Sequence, residues 1–214
     1  MEDIDRQKLY WDSVAKKRTF THPIRMETLK ELIPIDGSIL DYGCGYGRSC
    51  LELVEAGFTD VTGVDISTEM IKNGLVRNPG LNLKQIGGGR LPFSDNEFSA
   101  CIVFAVLTCM PTNIGQTDLI SEIRRILKTD GILYLSDYPL QKDKRNNERY
   151  NQFKDEFGNF GIFRLSDGGV VRHHQMTWIY SLLSEFDIMR EETFVAPTMN
   201  GNSAEIFQII ARKK

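Results

Sequence analysis

The chain has 214 residues, with 26 Lys+Arg against 29 Asp+Glu and a formal charge of −3. That length suits a single domain, and the 41% apolar content excludes a disordered chain. No apolar run reaches the ~18 residues of a membrane span, and the acidic balance argues against a nucleic acid held through its phosphates.

The opening Met1-Glu2-Asp3-Ile4-Asp5-Arg6 is charged and lacks the apolar core of a secretion signal. Cys44, Cys50, Cys101 and Cys109 form no C-x-x-C pair and no regular disulfide spacing. The expectation is reduced thiols in a cytoplasmic protein. Residues 38–42 are a short apolar run ending in glycines, as a buried strand entering a tight turn does. Residues 48–56 read as a helix stopped by Gly57, residues 61–65 as a second strand, and Ser67 as the cap of a helix carrying Met70, Ile71 and Leu75. Residues 81–86 are a weaker third strand, and 98–104 a clear fourth one. Leu119, Ile120, Ile123, Ile126 and Leu127 then form one helical stripe, with acidic residues early and basic ones late. Asp130-Gly131 turns the chain into a fifth strand at 132–137. Alternation at this spacing predicts parallel pairing with helical crossovers on both faces.

The rhythm breaks after Pro139. Residues 141–149 are almost wholly polar, and 151–169 mix four phenylalanines with four glycines. Residues 177–186 look helical, and 188–195 and 205–212 look like a hairpin split by Pro197 and Asn200-Gly201-Asn202. The fold class is therefore α/β: a doubly wound, Rossmann-like, seven-stranded sheet, mostly parallel, with an antiparallel C-terminal hairpin and an insertion after the fifth strand.

Asp41-Tyr42-Gly43-Cys44-Gly45-Tyr46-Gly47-Arg48 lies between the first strand and its helix, where a doubly wound sheet binds its ligand. Asp65 ends the second strand, near the offset of about 20 at which an acid meets a ribose hydroxyl pair. A dinucleotide fingerprint would need glycine at 48, where Arg48 stands. Asp41 before the glycines suits an ammonium rather than a pyrophosphate. The ligand so described has an adenosine at one end and an amino acid at the other.

These residues resemble the motifs of class I S-adenosylmethionine-dependent methyltransferases of the small-molecule type. The stretch 39–48 is similar to the first motif; Val64-Asp65-Ile66-Ser67 with Met70-Ile71, residues 90–98 and residues 122–137 match the later ones in order. The resemblance implies S-adenosyl-L-methionine as cofactor. Gly43, Gly45 and Gly47 would pack on its methionine part, Asp41 near the ammonium and Asp65 on the ribose. Ile66 and Met70 would flank the adenine, while Phe104, Ala105 and Leu107 would border the methyl group. Gly87 stands where the family often has an acid for the adenine amino group, leaving that role to the backbone of Gly88, Gly89 and Arg90, beside Leu91, or to another side chain. The implied division is a single domain over 1–214: an N-terminal helical lid at 1–37, a cofactor core at 38–137, a substrate-cap insertion at 138–178, and a last helix and hairpin at 179–214.

A general base is needed only if the acceptor must lose a proton, and His173 or His174, following the insertion, are the candidates. Too few cysteine and histidine ligands cluster for a metal. Tyr10, Trp11 and His22 either cover the cofactor as a lid or merely anchor the leading helix. Tyr138, Arg149, Arg172 and Trp178 complete the candidate substrate region. The expected acceptor is a small molecule methylated on oxygen or nitrogen, with neither nucleic acid nor membrane as partner. A nicotinamide-dependent oxidoreductase and a non-catalytic S-adenosylmethionine-binding module are the alternatives. The acceptor's identity and the oligomeric state stay open.

Overall fold

A computed structural model describes residues 4–199 and 201–214; Met1, Glu2, Asp3 and Asn200 lie outside the described residues. Two short helices come first, α1 (Lys8–Val14) and α2 (Met26–Leu32). Then β1 (Ile39–Tyr42), α3 (Arg48–Glu55), β2 (Val61–Asp65), α4 (Thr68–Arg77) and β3 (Asn82–Gln85) follow, with β4 (Phe98–Phe104), α5 (Asn113–Ile126) and β5 (Leu127–Asp137) after them. The insertion contains α6 (Lys144–Phe157), β6 (Ile162–Arg164) and β7 (Val170–Arg172). The chain ends with α7 (Met176–Leu182), β8 (Phe186–Pro197) and β9 (Ser203–Lys213).

Seven strands form one sheet in the order β3-β2-β1-β4-β5-β9-β8, and β6 pairs with β7 in a separate hairpin. The first five strands of the large sheet are parallel, while β9 runs antiparallel to both β5 and β8. The doubly wound, Rossmann-like reading is thus correct, including the antiparallel C-terminal pair. Strand order reverses between β1 and β4, so their carboxyl ends open into the crevice where such sheets bind ligands.

Local chemistry explains the elements that frame this crevice. Ser67 Oγ accepts from the Met70 N–H and caps α4, as its sequence position implies. Gly47 takes φ +80° at the start of α3, and a Cβ there would meet Leu83 Cδ1 at 2.9 Å and Leu81 Cδ1 at 3.1 Å. Only a glycine lets α3 sit this close to the sheet. Both faces of the sheet are covered. Leu40, Val64, Val103 and Leu135 pack against the stripe of α5 on one face; Ile39, Ile102 and Tyr134 pack with Leu29 and Leu53 on the other.

Several boundaries differ from the sequence reading; the last helix, for example, ends at Leu182, and Phe186 already begins β8. α5 begins at Asn113, capped by Thr112, before its apolar stripe starts. Leu127, counted in that stripe, already has extended backbone and pairs with Phe98 as the first residue of β5. β3 is shorter than expected, spanning Asn82–Gln85. The polar stretch read without structure after Pro139 forms α6, capped by Asp143 and closed by Gly158 at φ +67°. Its fully buried residues are Asn146 and Tyr150, with Phe153 packed partly buried beside Tyr150, so few apolar residues mark its inward side.

Candidate functional site

A cavity of about 600 Å³ opens at the carboxyl ends of β1, β2 and β4. Of the residues expected to hold the cofactor, Asp41, Gly43, Asp65, Ile66, Met70, Gly88, Arg90, Leu91, Phe104, Ala105 and Trp11 line it. Gly45, Gly47 and Leu107 do not. Gly45 contributes through its N–H, which donates to Asp65 Oδ2 at 2.9 Å. Gly47 serves the packing of α3, and Leu107 is wholly buried in the core as the first residue of a 3-10 turn.

The two carboxylates are held differently. Asp65 Oδ1 accepts from the Ser67 N–H at 2.8 Å while Oδ2 holds the glycine loop, so one side chain ties the loop to the start of α4. Burial pushes its carboxyl upward, and those N–H groups oppose the shift. Asp41 is 2% exposed, and burial raises its pKa to about 7; the Cys50 thiol donates to its Oδ2 at 3.3 Å. A cationic ligand group beside Asp41 would relieve that burial cost.

A Cβ on Gly43 would stand 2.5 Å from Val106 Cγ2, so bare main chain keeps the crevice between the loop and the end of β4 open. Ala105, on the opposite wall, holds φ +53°, which is unfavourable for a side chain with a Cβ; its N–H donates to Ser136 O at 2.7 Å. The cavity therefore offers a main-chain cradle, the carboxyl groups of Asp41 and Asp65, and the apolar Ile66 and Met70. This donor set fits an adenosyl sulfonium amino acid.

The N-terminal segment covers the cavity. Asp12 Oδ1 accepts from Ser67 Oγ at 2.7 Å and from the Glu69 N–H at 3.1 Å, docking α1 on α4 with Trp11 at the cavity wall. Tyr10 instead faces the insertion, where its hydroxyl and Arg18 bond to Asp167. The guanidinium of Arg6 lies against Gly88, where any Cβ would collide with it, and both line the cavity. Asp5 also lines the cavity, and neither it nor Arg6 stood out in the sequence, since adjacent charges near a terminus carry no spacing signal.

The expected substrate residues divide sharply. His22 and Tyr138 line the cavity; Tyr10, Arg149, Arg172, Trp178, His173 and His174 do not. His173 and His174 are corrected as catalytic candidates. His173 Nδ1 lies 2.5 Å from the Tyr150 hydroxyl in the core of the insertion, and burial drives its pKa well below the usual histidine range. His174 is 1% exposed, with Nε2 at 3.6 Å from Asp137 Oδ1. Both residues follow β7, and their backbones bond to Gly161, Tyr138 and Leu140, which seats the insertion against the chain leaving β5. Arg172 donates to Pro111 O and Asn113 Oδ1, and Trp178 Nε1 to Gln116 Oε1, both away from the cavity. Arg149 lies over the Phe163 ring at 3.6 Å. These residues build the insertion rather than the site.

Among the described residues no cluster of three or more metal-ligating side chains occurs, and no helix is long and apolar enough to cross a membrane.

Comparison with known proteins agrees with this geometry. Residues 40–135 match a family model described as a methyltransferase domain. EEF1A lysine methyltransferase 2 of Homo sapiens is 29% identical over 129 residues, 56% of this chain and 55% of that protein. Demethylmenaquinone methyltransferase of Beutenbergia cavernae is 30% identical over 139 residues, 60% of this chain and 56% of that protein. The chain thus spans little more than half the length of these curated relatives. A crystal structure described as an S-adenosylmethionine-dependent methyltransferase from Methanosarcina mazei superposes with a TM-score of 0.81 at 29% identity, covering 91% of this chain and 99% of that one.

Proposed function

The chain carries a class I methyltransferase domain of the S-adenosylmethionine-dependent kind, and from that premise we propose that it methylates oxygen or nitrogen of a small-molecule acceptor. When bound, S-adenosylmethionine supplies an electrophilic methyl group and a neutral thioether as leaving group, so the protein's work is alignment and exclusion of water. Gly43 and the loop behind it hold the amino acid part, Asp41 faces the ammonium, and Asp65 accepts from the ribose. Arg6 and Gly88 wall the adenine side, where Gly87 supplies no acid for the amino group. Trp11 covers the cavity from α1.

One observation carries the acceptor class. The cavity wall at the ends of β4 and β5 is formed by Phe20, Thr21, His22, Phe104, Tyr138 and Met199, among which no side chain is formally charged when His22 is neutral. A segment from the N-terminus and one from the β8–β9 connection close over it, with Thr21 Oγ1 donating to Pro197 O at 2.5 Å. Such an uncharged wall under a strap suits a compact molecule better than an extended peptide or a polyanion. The curated relatives are named for both protein and small-molecule acceptors, so this wall, rather than likeness, favours the smaller one. Residues 138–178 then act as cover and support for the acceptor side.

The test is transfer of a labelled methyl group from S-adenosylmethionine to a panel of small alcohols, phenols and amines against lysine-bearing peptides. Labelling confined to the small molecules is the expected result, and labelling confined to the peptides would overturn the acceptor class.

A further inference from the structure

Tyr138 is the first residue after β5, and it is fixed at both backbone groups and at its ring. Its N–H donates to Asp137 Oδ1 at 2.8 Å, and its carbonyl accepts from the His174 N–H at 2.9 Å. The ring lies nearly parallel to that of His173, centroids 5.3 Å apart, and packs at a steep angle to His22 at 4.9 Å. His173 is in turn held by the Tyr150 hydroxyl, so the insertion braces this ring.

The phenol end, by contrast, is open. Tyr138 lines the cavity and keeps part of its surface exposed. Its hydroxyl makes no hydrogen bond among the described residues, and unlike Nε2 of His22 it is not sealed from solvent. A phenol on a fixed ring, with its proton unassigned, is a donor ready for a group in the cavity.

The rest of this wall takes up no proton. Among its described residues His22, on a strap of residues 20–25, is the one basic side chain. Its Nδ1 lies 3.0 Å from Ser136 Oγ, and its Nε2 is buried without a partner. Cys109, nearby in the cavity, donates its thiol proton to Ala105 O at 3.2 Å, and burial holds that thiol protonated. Phe20 and Phe104 complete an aromatic surround, the first nearly parallel to Tyr46 at 5.2 Å and the second edge-on to Tyr134 at 4.8 Å. Aromatic rings attract a positive charge and give an anion no comparable support. Burial and Asp137 raise the Tyr138 phenol above its ordinary pKa, so a substrate hydroxyl beside it meets the same resistance to ionising.

We infer that Tyr138 selects the acceptor: its hydroxyl donates to a carbonyl oxygen on a flat, uncharged nitrogen heterocycle, whose ring nitrogen takes the methyl group. This rests on the methyl-transfer reading above and narrows it from oxygen or nitrogen to a pyridine-type nitrogen. Such a nitrogen is neutral at physiological pH and has no proton to lose, whereas an alkylamine or an alcohol must shed one. The step balances without a base. The ring nitrogen's lone pair forms the bond to the methyl carbon, and the carbon–sulfur bond breaks with its electron pair remaining on sulfur. Positive charge thereby moves from sulfur to a heterocycle inside the aromatic wall, and the total charge of the site is unchanged.

The experiment uses the full chain, wild type and Tyr138→Phe, each first titrated with S-adenosylhomocysteine. Failure of the wild type to bind it would sink the methyl-transfer reading itself, independently of Tyr138. The saturated proteins are then titrated with 3-acetylpyridine and with 3-ethylpyridine, which lacks the carbonyl. Wild type is expected to bind the acetyl compound at least fivefold more tightly. Tyr138→Phe keeps its S-adenosylhomocysteine affinity, which shows that it is folded, and brings the two pyridines within twofold of one another, an effect a purely structural role does not produce. Labelled methyl transfer is followed to 3-acetylpyridine and to 3-hydroxyacetophenone, with the N-methylpyridinium product identified by mass spectrometry. Wild type should methylate the pyridine at least tenfold faster than the phenol. Equal binding of the two pyridines by the wild type, an unchanged preference in Tyr138→Phe, loss of S-adenosylhomocysteine binding in that variant, or transfer that favours the phenol or misses the pyridine would each overturn the inference.

Discussion

Gln7 exchanges two hydrogen bonds with the backbone of Val170: its Nε2 donates to Val170 O and its Oε1 accepts from the Val170 N–H, both at 2.7 Å. The same amide donates to Cys109 O at 3.1 Å. One buried side chain near the N-terminus therefore joins the insertion hairpin to the turn after β4. The N-terminal segment and the insertion are thus tied to one another beside the cavity.

Gln7→Ala leaves the buried Val170 N–H without its partner, which costs about 1–3 kcal/mol. Urea unfolding should show a fall of that size, and hydrogen exchange at Val170 should quicken. Unchanged exchange there would separate the lid from the insertion.

Tyr150 bridges the Gln141 N–H and His173 Nδ1 within the insertion. Tyr150→Phe should lower stability by about 1–3 kcal/mol and leave S-adenosylhomocysteine affinity unchanged. Calorimetric unfolding with a parallel titration checks this; loss of affinity with intact stability would restore the histidine pair to the site.

The two shifted groups in the cavity work against one another with pH. His22, held near 4 against an ordinary 6.5, favours the folded state above 6.5, and that contribution of roughly 3 kcal/mol disappears as pH falls through 4. Asp41, raised from 3.8 to about 7, favours the folded state below 3.8 and loses that contribution as pH rises through 7. Asp41→Asn should therefore stabilise the ligand-free protein at pH 8, by up to a few kcal/mol, while weakening its hold on S-adenosylmethionine. Denaturant titration at pH 5 and 8 reads the first effect and calorimetry the second. A variant less stable than wild type at pH 8 would contradict the assignment of Asp41 as a buried carboxylate awaiting a cation.

Gly47→Ala places a Cβ at φ +80° against Leu81 and Leu83 and should cost more than about 1 kcal/mol. Thermal unfolding tests it. A neutral result would mean that α3 shifts freely relative to β3.

The parallel half of the molecule was legible because its signals are local. The boundaries of β2 and β4, the Ser67 cap and the glycine loop follow from runs, caps and turns within a few residues. The α6 helix was hidden by its polarity, although Asp143 before it and Gly158 after it are ordinary helix punctuation and were available as signals. His22 was named for the cover or the substrate region, and it does line the cavity, but the contacts that hold it there were not readable. The strap it sits on has no periodicity, and its place over the cavity is set by partners at Arg48, Tyr134 and Gln208, remote in the chain. His173 and His174 drew attention by adjacency, but contacts with Tyr150 and Asp137 made far along the fold bury them behind the wall.

The account depends most on the pairing of the glycine loop with Asp65, and isothermal titration of S-adenosylmethionine and S-adenosylhomocysteine measures it directly. One molecule of either should bind the wild-type chain with evolved or absorbed heat, and Asp65→Ala should weaken binding at least tenfold. Absence of binding of both molecules to a folded wild-type chain, or identical affinity in Asp65→Ala, would contradict it.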